Sequence, residues 1–213
     1  MKSPFDRLLT WCIKPWVVIF VLATVVLSFL YVDRPLAAMI YVYPHELARL
    51  ILTGLTLSGK SSIYLIALFL LALLFQYGFH KKQLAYNTWF LWCCVFFPNV
   101  MCLILKISFG RARPSLLFEQ QTHGFYGFSK EPTYWSFPSG HTTTIMGLML
   151  GLCVLFPRRS WVFLTIGLLV ALSRILLLYH HFSDVFIAAY LAVIEVGLLL
   201  FLFRRRGLLA SDV

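Results

Sequence analysis

The sequence predicts an all-α, polytopic membrane protein with six transmembrane helices, and three features carry that prediction. Of its 213 residues, 61% are hydrophobic and 12% charged, with a mean hydropathy of +0.85. That is too apolar for a soluble domain of this size. Six apolar runs recur at about 15–32, 61–79, 84–107, 142–156, 161–179 and 185–203, most of them near the roughly 20 residues that cross a bilayer as a helix. The basic residues lie scattered between these runs, where they act as topology signals and anion ligands. A formal net charge of +10 in that arrangement does not describe a nucleic-acid surface.

The first run, Pro15 to Val32, is long enough to span and lacks a small-residue cleavage pattern, so it reads as an uncleaved helix. Asp33 to Lys60 follows, with Leu36, Ile40, Leu47, Leu50, Ile51 and Leu55 loosely on one helical face. An interfacial amphipathic helix is expected between the first two spans, started or kinked by Pro44; a folded loop is the alternative. The fourth run is the shortest. The sixth contains Glu195, which marks either a functional group or a structural glutamate held at depth. No repeat or low-complexity stretch divides the chain, so residues 1–213 read as one membrane-embedded domain.

Orientation follows from counting charges. With the N-terminus inside, the inner segments hold Lys2, Arg7, Lys14, Lys81, Lys82, Arg158, Arg159, Arg204, Arg205 and Arg206 against Asp6 and Asp212, an excess of eight positive charges. The outer segments hold eight basic residues against five acidic ones, an excess of three. Both termini are then cytoplasmic, and every unusual polar cluster falls at the outer face. Cys12, Cys93, Cys94, Cys102 and Cys153 lie in or beside apolar runs without a C-x-x-C pair, which supports neither a disulfide framework nor a zinc site.

Three polar clusters carry chemistry. The first closes the third span: Lys106 and Arg113 are seven apart, two turns along one face if the helix continues, and Pro114 marks where it has ended. Arg111 between them suits a snorkelling interfacial cation. A 23-residue loop, Ser115 to Phe137, follows; its aromatic residues fit either a lid over a site or an interface belt. The second cluster is Pro138-Ser139-Gly140-His141, which opens the fourth span. Proline for entry, serine as cap and glycine for close backbone approach make a helix N-terminus suited to an anion. His141 in its first turn is suited to giving and retaking a proton. The third runs Ser173-Arg174 through His180, His181 and Asp184. If the chain is helical from His180 onward, His180 and Asp184 share a face. A carboxylate holding one ring N–H leaves the other nitrogen basic, as a nucleophilic or general-base histidine requires; a membrane-interface turn with two incidental histidines is the alternative. Lys106, Arg113 and Arg174 with backbone donors match a phosphoryl group. A metal on His141, His180, His181 and Asp184 is disfavoured, because three cations would repel it.

At these residues the chain resembles the type 2 phosphatidic acid phosphatase superfamily. The signature is present as Lys106, six residues, Arg113-Pro114; then Pro138-Ser139-Gly140-His141; then Ser173-Arg174, five residues, His180, three residues, Asp184. It covers about 106–184, with no departure at a motif position. The resemblance implies a metal-independent, cofactor-free lipid phosphate phosphatase. His180 would be the nucleophile forming a phosphohistidine, Asp184 its orienting partner and His141 the general acid and base. Lys106, Arg113, Ser139, Gly140 and Arg174 would hold the phosphate. Implied substrates are phosphatidylglycerophosphate, phosphatidic acid, undecaprenyl diphosphate or lipid A phosphates, met in the bilayer at a periplasmic site of a bacterial inner membrane. No nucleic acid or protein partner is implied. A lipid phosphotransferase using the same phosphohistidine, and a non-catalytic lipid binder or flippase, are the alternatives.

The charge asymmetry is directly testable. A reporter fused after Arg206 should be cytoplasmic and one inserted near Lys130 exported; the opposite pattern would invert the topology.

Overall fold

The computed structural model describes residues 3–42 and 46–209. Among them the chain is helical, with no strand beyond two isolated bridges at Arg111. A short helix α1 (Pro4–Cys12) is capped by Ser3, whose hydroxyl accepts from Asp6 N at 3.1 Å. Lys14 leads into α2 (Pro15–Leu27), which a π-turn over Ser28–Val32 joins without a break to α3 (Asp33–Val42). The first span therefore reaches Val42, ten residues beyond its expected end, because Asp33 is buried and does not stop it. The segment expected to hold one interfacial helix holds this extension and then α4 (Glu46–Leu57); Pro44 lies outside the described residues. A break at Ser58–Lys60 precedes α5 (Ser61–Leu73), which a second π-turn extends to Gly78. The third span is α6 (Lys82–Phe109). Between it and α8 (Gly140–Leu155) comes the short α7 (Pro114–Glu119). The fifth and sixth spans are α9 (Ser160–Leu176) and α10 (Phe182–Arg205). Five of these helical stretches are long and apolar enough to cross a membrane, and α8 is a shorter apolar helix.

The shortness of α8 has a physical cause. Twelve of its 16 residues are buried, so it lies inside the bundle and never faces lipid. At 1.5 Å per residue it is about 24 Å long. Pro98 lies inside α6 and cannot donate to the carbonyl of Cys94 four residues back. Gly147 of α8 approaches that carbonyl so closely that an added Cβ would meet the oxygen at 2.2 Å. Gly151, one turn on, would meet Leu91 at 2.9 Å and the Cys94 sulfur at 3.3 Å. This small-residue face lets α6 and α8 pack backbone to backbone. At the end away from the polar cluster, Arg204 of α10 grips Asp6 through two bonds of 2.7 and 3.2 Å and ties α1 to the last span.

Gly147→Ala should lower stability by about 1–3 kcal/mol, because a backbone carbonyl cannot step aside. Gly54→Ala, with nothing within 4 Å of the new methyl, should be neutral or stabilise by up to about 1 kcal/mol. Thermal unfolding in detergent micelles reads both. A Gly147→Ala protein as stable as the wild type would contradict this packing.

Candidate active site

All three sequence clusters meet at one end of the bundle. Lys106 stands in the last turn of α6, and its Nζ donates to the carbonyls of Trp135 at 2.7 Å and Pro138 at 2.6 Å. The helix does not continue to Arg113 as the seven-residue spacing suggested. It ends at Phe109, and Gly110 turns left-handed (φ 52°) with the Gly127 carbonyl 2.0 Å from where a Cβ would stand. Only glycine fits there. Arg113 then reaches the site from extended chain, its guanidinium facing the carbonyls of Pro132 at 3.1 Å and Tyr179 at 3.5 Å.

Ser139 occupies the N-cap of α8, but its hydroxyl accepts from Thr142 Oγ1 at 3.0 Å and caps no backbone N–H. The first-turn amides are thereby left for an anion. Gly140 packs over the Lys106 side chain, with 3.5 Å between its would-be Cβ and Cε. His141 lies within electrostatic reach of Arg174, Lys106, Arg113 and Lys60. Gly59, in the break between α4 and α5, packs on its ring; a Cβ there would approach His141 to 2.8 Å. Arg174 is buried, stacks on the Tyr179 ring at 4.3 Å and donates to Thr56 Oγ1 at 2.7 Å.

The turn that delivers His180 is tight. Leu178 adopts φ 56°, and the amides of both Tyr179 and His180 bond back to the Arg174 carbonyl at 3.1 and 3.2 Å. The six-residue step from Arg174 to His180 is thus a closed backbone turn, and His180 precedes the helix that contains Asp184. His180 Nδ1 meets the Ser136 carbonyl at 2.8 Å and lies 3.7 Å from Asp184 Oδ2, too far for a hydrogen bond. A carbonyl only accepts, so a neutral His180 carries its proton on Nδ1 and leaves Nε2 with a free lone pair. Burial pushes the imidazole well below the usual 6.5, only partly opposed by Asp184, which keeps that lone pair free at neutral pH. His181 is buried at the N-cap of α10; its amide donates to Asp184 Oδ2 at 2.9 Å.

Arg111 overturns its sequence assignment. Among the described residues it is the largest fully buried side chain, and it has no snorkelling path to water. Nη2 donates to Asp33 Oδ2 at 2.6 Å; Nη1 donates to Ser183 Oγ at 2.7 Å and to Asp184 Oδ1. Phe29 and Phe125 lie near the guanidinium, each ring centre 5.1 Å away. Asp33, Thr56, Ser136 and Ser183 were likewise not singled out from sequence. Asp33, an ionisable residue at the end of an apolar run, was the one with a usable signal. Glu195 stays apart from this network, with Oε2 buried and without a hydrogen-bond partner.

Residues 88–207 match the family model of the PAP2 superfamily, and the signature residues above fall inside that match. The chain belongs to the PAP2 superfamily. A lipid A 1-phosphatase of Rhizobium johnstonii is 30% identical over 174 residues, covering 77% of this chain and 70% of the relative. A second lipid A 1-phosphatase, from Rhizobium etli, is 32% identical over 49% of this chain and 47% of its own length. The crystal structure of a transmembrane PAP2-type phosphatidylglycerolphosphate phosphatase from Bacillus subtilis superimposes with a TM-score of 0.66 at 20% identity, covering 88% of this chain and 94% of that one. That likeness shows that the helical membrane fold is shared within PAP2.

In this PAP2 chain the 115–137 loop packs inward at its middle. Phe125 and Phe137 stack edge-on to each other and to Phe109, while Phe128 projects outward. His123 stacks on Phe29 at 5.1 Å and meets the His181 ring edge-on at 5.2 Å. Burial, with His181 and Arg111 nearby, pushes its pKa down to about 4, and burial also lowers that of His181. In an unfolded chain histidines protonate near 6.5. The stability these rings contribute is therefore complete above about pH 6.5 and lost as pH falls toward about 4. Melting temperature in detergent should drop across that window. His123→Phe, which keeps the stack on Phe29 and cannot protonate, should flatten the drop; an unchanged slope would deny His123 a share.

Proposed function

We propose that the chain is a lipid phosphatase that removes a phosphate from a saccharolipid of the lipid A type at the outer face of a bacterial inner membrane. One observation carries this: the His180 imidazole is held through Nδ1 by the Ser136 carbonyl, so its Nε2 is left free, with Lys106 and Arg113 within electrostatic reach of the ring. Nε2 attacks phosphorus as the bond to the lipid oxygen breaks, and His141 gives that oxygen a proton. Phosphorylated His180 becomes a cation, stabilised by the carboxylate of Asp184 at 3.7 Å. Water, deprotonated by His141, then attacks phosphorus. The P–N bond breaks and inorganic phosphate leaves. The cations already present take the compensating role that a metal has elsewhere, so no metal enters the scheme. The saccharolipid rests on the Rhizobium johnstonii relative, whose likeness extends over 77% of this chain. The periplasmic face rests on the charge asymmetry.

Purified protein should release inorganic phosphate from lipid A, with chelator present, faster than from phosphatidylglycerophosphate, phosphatidic acid or undecaprenyl diphosphate. Vanadate, a mimic of five-coordinate phosphorus, should block it. His180→Ala should abolish release and any acid-labile phosphoenzyme, whereas His181→Ala should keep substantial activity. Preference for another lipid would move the substrate and keep the chemistry. A phosphoenzyme that survives in His180→Ala would refute the nucleophile.

A further inference from the structure

We infer that Arg111, held from the first span by Asp33, is a positioning residue that aims the His180 nucleophile through Asp184 and Ser136. The inference rests on the phosphatase reading above and concerns residues outside the family signature.

The geometry forms a closed ring. The Arg111 guanidinium takes one oxygen of Asp184, Oδ1. The other, Oδ2, accepts from Ser136 Oγ at 2.6 Å. Ser136 N donates to the backbone carbonyl of Arg111 itself at 3.0 Å, which returns the ring to its start. His180 hangs from this ring by the 2.8 Å bond of Nδ1 to the Ser136 carbonyl. Arg111, Ser136 and Asp184 are all fully buried, so no water can replace a lost bond. Both ends of Arg111 are thus used: its side chain fixes the carboxylate and its backbone fixes the residue that holds the histidine.

Asp33 keeps the guanidinium in place. It accepts from Arg111 Nη2 at 2.6 Å and from both the amide and the hydroxyl of Ser183, the residue before Asp184. Without this second carboxylate, Arg111 would be free to rotate its fork about Asp184. Oδ2 could then turn away from Ser136 or compete for the His180 proton directly. Either change tilts Nε2 away from phosphorus, and misplacement by about 1 Å is enough to cost on the order of 100-fold in rate. The side chains of Lys106, Arg113 and Arg174 make no bond to Arg111, Ser136 or Asp184. The cradle meets the ring through backbone alone, Ser139 N donating to the Asp184 carbonyl and His180 N to the Arg174 carbonyl, each at 3.2 Å, so side-chain changes in the ring can be read apart from the phosphate ligands.

That separation defines the test. Ser136→Ala and Asp33→Asn, singly and together, are compared with wild type for phosphoenzyme formation in a single turnover and for inhibition by inorganic phosphate. Each single variant should slow phosphoenzyme formation by about 10- to 100-fold while the inhibition constant for phosphate moves less than about threefold. Because both act through one ring, the double variant should be no worse than the poorer single one. Thermal unfolding checks that each is folded; if Asp33→Asn is not recovered, Ser136→Ala decides alone. Unchanged phosphoenzyme formation in a folded Ser136→Ala, a matching loss of phosphate affinity, or additive losses in the double variant would each overturn the inference. A wild type that forms no phosphoenzyme defeats the phosphatase reading instead, and this inference with it.

Discussion

A guanidinium shut away from water holds the polar end of this molecule together. The Arg111 guanidinium has no route to solvent, so its burial is tolerable only where carboxylates and ring faces accompany it. Asp33 and Asp184 supply the charge, and the Phe29 and Phe125 rings, themselves in contact, lie beside it. Loss of one partner from such a site costs about 3–5 kcal/mol, because the remaining charge stays buried. The demand fixes three registers at once: where α3 begins, how the chain leaves α6 and where the first turn of α10 sits. The left-handed turn at Gly110 follows from the same demand, since it takes the chain off the α6 axis and sends Arg111 inward.

The parts legible in the sequence were those coded by local spacing. Apolar runs revealed the spans, and the intervals within the signature picked out Lys106, Arg113, His141, Arg174, His180 and Asp184, which the fold gathers at one end. The residues that escaped notice depend on partners far along the chain. Arg111 bonds to a residue 78 positions earlier, and nothing in its neighbourhood distinguishes it from a snorkelling cation. Ser136 acts largely through its backbone, which no side-chain pattern records. The pairing of His180 with Asp184 was anticipated from a helical spacing that the chain does not adopt. The turn at Leu178 brings the two near each other by another route, and the Ser136 carbonyl takes the imidazole Nδ1 instead of the carboxylate.

The family match begins at residue 88, yet the site does not. Asp33 and Phe29 come from the first span and hold Arg111. Thr56, at the end of α4, accepts one arm of Arg174. Gly59 lies so close to His141 that any side chain would displace the ring. Glycine is needed at that place, because any other residue would set a Cβ against the imidazole. Each of these contacts supplies what the signature residues lack by themselves: a counter-charge, a hydrogen-bond acceptor or a wall. The first two spans thus complete the site electrostatically and sterically. A bundle begun at the third span would leave Arg111 with one carboxylate, Arg174 without its hydroxyl and His141 without the surface it packs on.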